Sequence, residues 1–291
     1  MLQHFVDKPG VVVSILSLMN KIIRLEFRMN YLLPAFLILC SLSAGAAEIP
    51  EVIRSCMQQN LPETTSAQSI ELRARDRSGY EQVLEADVYW RRYAGDQARV
   101  MMYFREPVDI RGARFLVVQK QPQNDMYIYM PALFKVRKVT SRNISNSIMG
   151  TDFSYEDFER LQGMLSDLRA EQFPDETLAG RPVYVLMSYP PETSGYVKVA
   201  TYIDKESCVP LRIDLYGAGH ELRKQLSVKP SDIQHQDGIY YPRELVIKDL
   251  TQKTQTRLIV HDLTIGAPLG DDLFDPEKMQ KADIPAITSK P

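Results

Sequence analysis

The sequence predicts a mostly β protein with a few helices, built on one large curved antiparallel sheet or open barrel. Three observations carry this: runs of apolar residues at period two, turn signals at short intervals between them, and few segments of helical period. In Leu84, Ala86, Val88, Trp90 the apolar side alternates with Glu85, Asp87, Tyr89, Arg91, and the same rhythm returns in Val197, Val199, Thr201, Ile203 and in Val209, Leu211, Ile213, Leu215. Arg77-Ser78-Gly79, Tyr93-Ala94-Gly95-Asp96, Gln123-Asn124-Asp125, Gly217-Ala218-Gly219 and His235-Gln236-Asp237-Gly238 punctuate these runs. Strands joined by such tight turns make hairpins. About ten strands are expected, in one sheet or open barrel rather than two domains.

With 291 residues, 44% hydrophobic and 25% charged, the chain has ordinary globular composition. Its N-terminus reads as targeting. Lys21, Arg24 and Arg28 precede an apolar run from Leu32 to Leu42, followed by Ala44-Gly45-Ala46-Ala47. This is the pattern of a Sec signal, with cleavage expected near Ala46 or Ala47 and delivery to the periplasm. Residues 1–47 are therefore assigned to extension and signal, with Met1 or Met29 as the start, 48–282 to one domain, and 283–291 to a flexible tail. An apolar run this short falls below the roughly 20 residues of a spanning helix. Without residues 1–46 the balance is 31 basic against 35 acidic side chains, which gives no footprint for nucleic acid. Cleavage leaves Cys56 and Cys208 in an oxidising compartment. They either form a disulfide or stand as two buried small hydrophobes.

Ile49, Val52, Ile53, Cys56 and Met57 recur at helical spacing between Pro50 and Pro62, which predicts one amphipathic helix. Ser154-Tyr155-Glu156-Asp157 has the form of a capping arrangement, and Phe158, Leu161, Met164, Leu165 and Leu168 continue at helical spacing. Residues 155–168 are expected to form a lid helix. Asp275-Pro276-Glu277 reads as a further helix start. Val100–Phe104, Phe115–Val118 and Met126–Met130 are apolar throughout, so both sheet faces need cover there. A helix on one face and a ligand cavity on the other satisfies that demand, as does a thick, filled core.

The usual catalytic signatures are absent. His220, His235 and His261 stand at no zinc-ligand spacing, and HExxH, paired CxxC and a phosphate-binding glycine-lysine loop are missing. Gly150-Thr151-Asp152 with Ser154 does not form a nucleophile elbow. The expectation is a protein that is not an enzyme, with no cofactor and no metal. Asp152, Glu156, Asp157 and Glu159 suit a helix start, whose free N–H groups and dipole favour acids. Lys135, Arg137, Lys138 and Arg142, with Arg111 and Arg114 upstream, either meet phosphate headgroups or an acidic partner or form a solvated strand face.

The stretch Arg111-Gly112-Ala113-Arg114-Phe115, then Met126-Tyr127-Ile128-Tyr129-Met130-Pro131-Ala132-Leu133-Phe134-Lys135-Val136-Arg137-Lys138, then Met149-Gly150-Thr151-Asp152-Phe153-Ser154-Tyr155-Glu156-Asp157 closely resembles the outer-membrane lipoprotein-sorting protein family, distant relatives of the periplasmic carrier LolA. The similarity extends over residues 50–280, including Tyr202-Ile203-Asp204-Lys205 and Leu273-Phe274. It departs at Asn146-Ser147-Ile148, where relatives more often carry small residues ending in Phe. The resemblance implies an incomplete antiparallel β-barrel wrapped around lid helices, with an apolar hollow that receives acyl chains of lipid or lipoprotein. It also implies transient membrane contact and a partner, an inner-membrane exporter of the resistance-nodulation-division (RND) type. The lining is expected to include Leu84, Val88, Trp90, Val100, Met102, Phe104, Phe115 and Val117. Met149, Gly150, Asp152, Phe153, Tyr155 and Phe158 belong to the expected gate. A structural adaptor of such an exporter, holding no lipid, is the alternative from another class.

Overall fold

Fifteen strands and two α-helices are seen among the described residues of the computed structural model, which are 49–121, 123–164 and 169–287. The strands in chain order are β1 (Thr65–Arg75), β2 (Glu81–Tyr93), β3 (Gln97–Glu106), β4 (Arg114–Val118), β5 (Asp125–Met130), β6 (Lys135–Lys138), β7 (Arg169–Leu178), β8 (Arg181–Tyr189), β9 (Lys198–Asp204), β10 (Pro210–Tyr216), β11 (Leu222–Ser227), β12 (Ile233–Gln236), β13 (Ile239–Pro242), β14 (Glu244–Asp249) and β15 (Thr254–Ile265). Helix α1 covers Glu51–Gln59 and α2 covers Tyr155–Leu161. Thirteen strands form one antiparallel sheet in the order β6-β5-β4-β3-β2-β1-β15-β14-β11-β10-β9-β8-β7, while β12 and β13 pair as a separate hairpin. Strands β6 and β7 are not paired to each other, so the sheet stays open. This is the incomplete barrel, with more strands than the ten expected because short strands such as β6 and the β12–β13 hairpin escape period counting.

The alternation in the sequence sets the faces. In β2, Leu84, Ala86, Val88 and Trp90 turn to the inner face, where a single apolar cluster also receives Ile70 and Leu72 of β1, Val260 of β15 and Leu226 of β11. Asp87 and Tyr89 point to the outer face. There Tyr89, Met101, Leu116 and Tyr129 are covered by Leu273, Phe274 and Met279 of the C-terminal segment. Arginines of β2, β3 and β4 tie that segment down. Arg91 donates to the Leu269 carbonyl at 2.6 Å, Arg99 to Phe274 at 3.0 Å and Arg114 to Ala282 at 3.0 Å. The Tyr89 hydroxyl donates to the Pro285 carbonyl at 2.7 Å. These bonds satisfy carbonyls that an irregular segment leaves unpaired.

Two expectations need correction here. The segment opening at Asp275-Pro276-Glu277 makes successive turns rather than a helix, because its backbone is held to the outer sheet face over Leu273–Met279. Beyond Ala282, Ile284 and Ile287 pack on the same cluster. The lid helix ends at Leu161, followed by a turn in which Gly163 takes φ +72°; Leu165–Leu168 of the expected lid lie outside the described residues.

Helix α1 is fixed through its buried face. Ile53 and Cys56 pack against Leu186, Ile203 and Ala170 of the sheet, and Cys56 is bonded to Cys208 with Cα atoms 5.2 Å apart. The turn bearing Cys208 is organised by the fully buried Asp204. Its carboxylate accepts from Arg181 at 2.7 and 3.0 Å and from the Ser207 hydroxyl and N–H at 2.6 and 2.9 Å. Burial pushes the Asp204 carboxyl up, but Arg181 and Ser207 outweigh it and hold it below the ordinary range. The bond spans 152 residues, so its removal frees about 5 kcal/mol of unfolded-chain entropy in the loop-closure model. Denaturation of the Cys56→Ala/Cys208→Ala double variant is expected to show a stability loss of that order, and reductant is expected to do the same to the wild type. A loss under about 1 kcal/mol contradicts a role for the bond in stapling α1.

Candidate functional site: a hollow beside a latched lid

The inner face is divided. On one half the lid, from Met149 to Leu161, lies directly against the sheet. Phe115 meets the Tyr155 ring at 4.8 Å and the Phe158 ring at 5.5 Å between centroids. Phe153 and Phe158 complete a packing in which Leu84, Val100, Phe104, Phe115 and Val117 are fully buried. The gap remaining under the lid, between Val88, Met102, Phe153 and Phe158, holds only about 40 Å³, little more than a water molecule's share of space.

On the other half the sheet faces a hollow of about 680 Å³. Its floor is the inner face of β1, β2, β8–β11, β14 and β15, and its walls are α1 with Asn60–Pro62, the end of α2 at Arg160–Gly163, and the β12–β13 hairpin through Tyr240 and Tyr241. Trp90, Ile213, Leu226 and Val260 make most of the floor apolar. The space exists because of side-chain size. Where the lid half has Phe104 and Phe115, this half carries Ser66, Ser188 and Thr201 on the inward positions of β1, β8 and β9. Small residues on the floor, with walls held off by α1 and the hairpin, leave room that interior packing otherwise closes.

Among the residues expected to line a groove, Val88 and Trp90 reach this hollow, and Met102 lies at the small gap. Leu84, Val100, Phe104, Phe115 and Val117 belong to the filled half. Both faces of β3–β5 are covered, by the lid on one and the C-terminal segment on the other, so their continuous apolar runs reflect two covers rather than the wall of the hollow. The hollow is built instead from β8–β11, β14 and β15. The signal for it in the sequence is small inward residues within alternating strands, Thr201 between Val199 and Ile203 and Ser188 after Leu186.

The lid is latched by buried polar groups. Ser154 caps α2, accepting from the Asp157 N–H at 3.1 Å while the Asp157 carboxylate accepts from the Ser154 N–H at 2.9 Å. The same carboxylate meets Lys224 of β11 at 2.8 Å, with 3% and 6% of the two side chains exposed, and receives the Tyr196 hydroxyl at 2.7 Å. Lys224 also donates to the Asp152 carbonyl at 2.7 Å. Asp152 accepts from Thr256 at 2.6 Å and from Thr254, and the Asp152 N–H donates to Thr256 at 2.8 Å. Glu156 accepts from Ser194 and the Gly195 N–H. Burial, opposed by these bonds, holds the Glu156 and Asp152 carboxyls above the ordinary range. Met149 and Gly150 turn the chain into the lid with φ of +49° and +81°. Of the four acids only Asp157 joins the cap; Asp152 and Asp157 fasten the lid to the sheet, Glu156 ties it to Ser194-Gly195, and Glu159 accepts from Asn124. Lys224 was not singled out in the sequence. Its signal is a lysine in the apolar phase of a strand, between Leu222 and Leu226.

Among the described residues no group of three or more His, Cys, Asp or Glu side chains could hold a metal ion. A family model described as that of an uncharacterized protein matches residues 96–281. The chain belongs to that family. Its fold is the LolA-like fold of the lipoprotein-sorting proteins, as the motifs at 111–157 implied. A structure designated an outer membrane lipoprotein-sorting protein domain, from Vibrio parahaemolyticus, shares 23% identity and a TM-score of 0.72 over 79% of this chain and 97% of its own. A DUF1329 family protein from Desulfovibrio piger shares 21% and 0.71 over 77% and 95%. A LolA superfamily protein from Nitrosomonas europaea shares 16% and 0.59 over 77% and 96%. No curated protein matches the sequence.

Removing one partner of a buried ion pair leaves the other charge uncompensated, at a cost of about 3–5 kcal/mol. Asp157→Ala is expected to lose that much stability in chemical denaturation, and adding Lys224→Met is expected to restore most of it. A loss below about 1 kcal/mol, the worth of an exposed pair, contradicts the latch.

Proposed function

We propose that this protein is a periplasmic carrier whose hollow holds acyl chains of lipid or lipoprotein between two membranes. The observation that supports it is the 680 Å³ space itself, within the roughly 300–1,000 Å³ of ligand sites and lined mainly by apolar side chains. Each methylene withdrawn from water contributes roughly 0.8 kcal/mol, so a 16-carbon chain gains on the order of 12 kcal/mol before ordering costs. Such a chain crosses an aqueous gap slowly unless it is covered. A hollow walled by α1, the end of α2 and a two-stranded hairpin covers it while remaining able to open at one wall. Direction of transfer would come from affinity differences or from an energised partner, for which an inner-membrane RND-type exporter is the candidate. The reading assigns no catalytic residue.

The competing reading, an adaptor that holds no lipid, draws on the unpaired edges of β6 and β7, which offer free backbone groups to a partner strand. Filling the hollow separates the two. In Leu226→Trp/Val260→Trp the added bulk is expected to weaken uptake of a fluorescent fatty acid by at least about tenfold, since overpacking costs about 1–3 kcal/mol, and lipid extracted with the wild type from its native envelope is expected to be missing from the variant. Wild-type protein that takes up no fatty acid and carries no lipid overturns the carrier and favours the adaptor.

A further inference from the structure

We infer that the paired turns at the end of β3–β6 are a docking tip for an anionic lipid bilayer. This goes beyond the carrier reading and stands without it, because the tip does not touch the hollow. Antiparallel pairing of Tyr103 with Arg114, Arg114 with Tyr129 and Met130 with Lys135 brings the β3–β4 turn and the β5–β6 turn to the same end of the sheet. The two turns touch, since a Cβ on Gly112 would come within 3.2 Å of Pro131 Cγ. They raise three large apolar side chains into solvent: Val108 at 69% exposure, Leu133 at 53% and Phe134 at 79%. Phe134 also takes φ +46°, a left-handed conformation that a bulky residue rarely adopts. An aromatic ring held in that conformation and left in water gains nothing from the fold.

The charge around this tip opposes that of the chain. Overall the protein carries −2, but from Met126 to Thr151 it has Lys135, Arg137, Lys138 and Arg142 and no acidic residue. Lys138 is engaged by Asp125, and Arg111 by Glu106. Lys135 and Arg137, next to the tip, have no ion-pair partner among the described residues, Arg142 lies past the far end of β6, and Asp109 is the one unpaired acid on the two turns. Lys135 and Arg137 share one face of β6, immediately after Phe134. Apolar side chains at a convex tip, followed by free cations, match the layering of an anionic bilayer: acyl boundary, then headgroups. A protein partner would need a pocket to receive Phe134, whereas a bilayer interface receives it without one.

The chain has a single tryptophan, Trp90, and it is buried, so Phe134→Trp places a reporter at the tip. With vesicles of brominated phosphatidylcholine and phosphatidylglycerol Phe134→Trp is expected to show a quenched component that the wild type, whose Trp90 lines the hollow, does not show. Quenching is expected to need about tenfold more anionic lipid in Phe134→Trp/Lys135→Glu/Arg137→Glu, and to weaken with salt. It is expected to survive Leu226→Trp/Val260→Trp, read through loss of the quenched component, so that failure of the tip and failure of the hollow are told apart. Tip emission that ignores the anionic vesicles overturns the proposal, as does quenching undiminished by the charge reversals. Emission that responds to soluble polyglutamate but not to vesicles overturns it in favour of an acidic protein partner.

Discussion

The constraint on which the molecule turns is that an open antiparallel sheet of thirteen strands has a broad apolar inner face and no second sheet of comparable size to bury it. Helices and loops must supply the cover, and they supply it unevenly. One half is closed by a lid carrying Phe153 and Phe158 against Phe115 and Phe104. The other half is bounded by α1 and a hairpin that stand off the floor. Apolar area left facing a void loses the dispersion contacts that a filled interior provides, so the hollow half is the part of the fold that gains most from a ligand of hydrocarbon character.

What keeps the two halves different is the way their covers are attached. The lid is held by directional polar bonds, the buried pair of Lys224 with Asp157 and the half-buried bonds of Asp152 with Thr254 and Thr256, each demanding a particular placement. Such a network specifies one arrangement and penalises slippage, because a lost partner leaves a desolvated charge. The wall at α1 is held covalently through Cys56 and Cys208, with Asp204 and Arg181 setting the turn that presents the second cysteine. The outer face is closed by the C-terminal segment, whose carbonyls are bonded to arginines of three neighbouring strands. Stapled and latched on three sides, the frame leaves the β12–β13 hairpin as the wall for which no disulfide or ion pair to the floor is seen among the described residues.

Much of this was legible in the residues. Alternation in Leu84–Trp90 and Val209–Leu215 gave the strands their faces, and the Ser154–Asp157 capping box marked the start of α2 to the residue. The place of the hollow was harder to read, for a physical reason. Period counting detects which side of a strand is buried, and Val100, Phe104 and Phe115 are buried; it does not detect whether the far side of the space is filled. That depends on what comes to sit opposite, and Phe158 opposite Phe115 fills one half while Thr201 and Ser188 leave the other open. Lys224 illustrates the same limit. A lysine in an apolar phase signals a buried partner, but the partner, Asp157, lies 67 residues away and is set by the fold. Likewise the C-terminal turns after Asp275 obey a sheet face that no local pattern reveals.

The account therefore rests on whether hydrocarbon occupies the space between Trp90, Ile213, Leu226 and Val260. A crystal structure of the protein with a terminally brominated long-chain fatty acid tests this most directly, because the bromine scatters anomalously and marks the chain end. The account predicts a bromine peak inside the hollow with the acyl density running along the floor of β1, β10, β11 and β15. A hollow that stays empty of ligand at saturating fatty acid, or a bromine bound only on the outer surface, would contradict it.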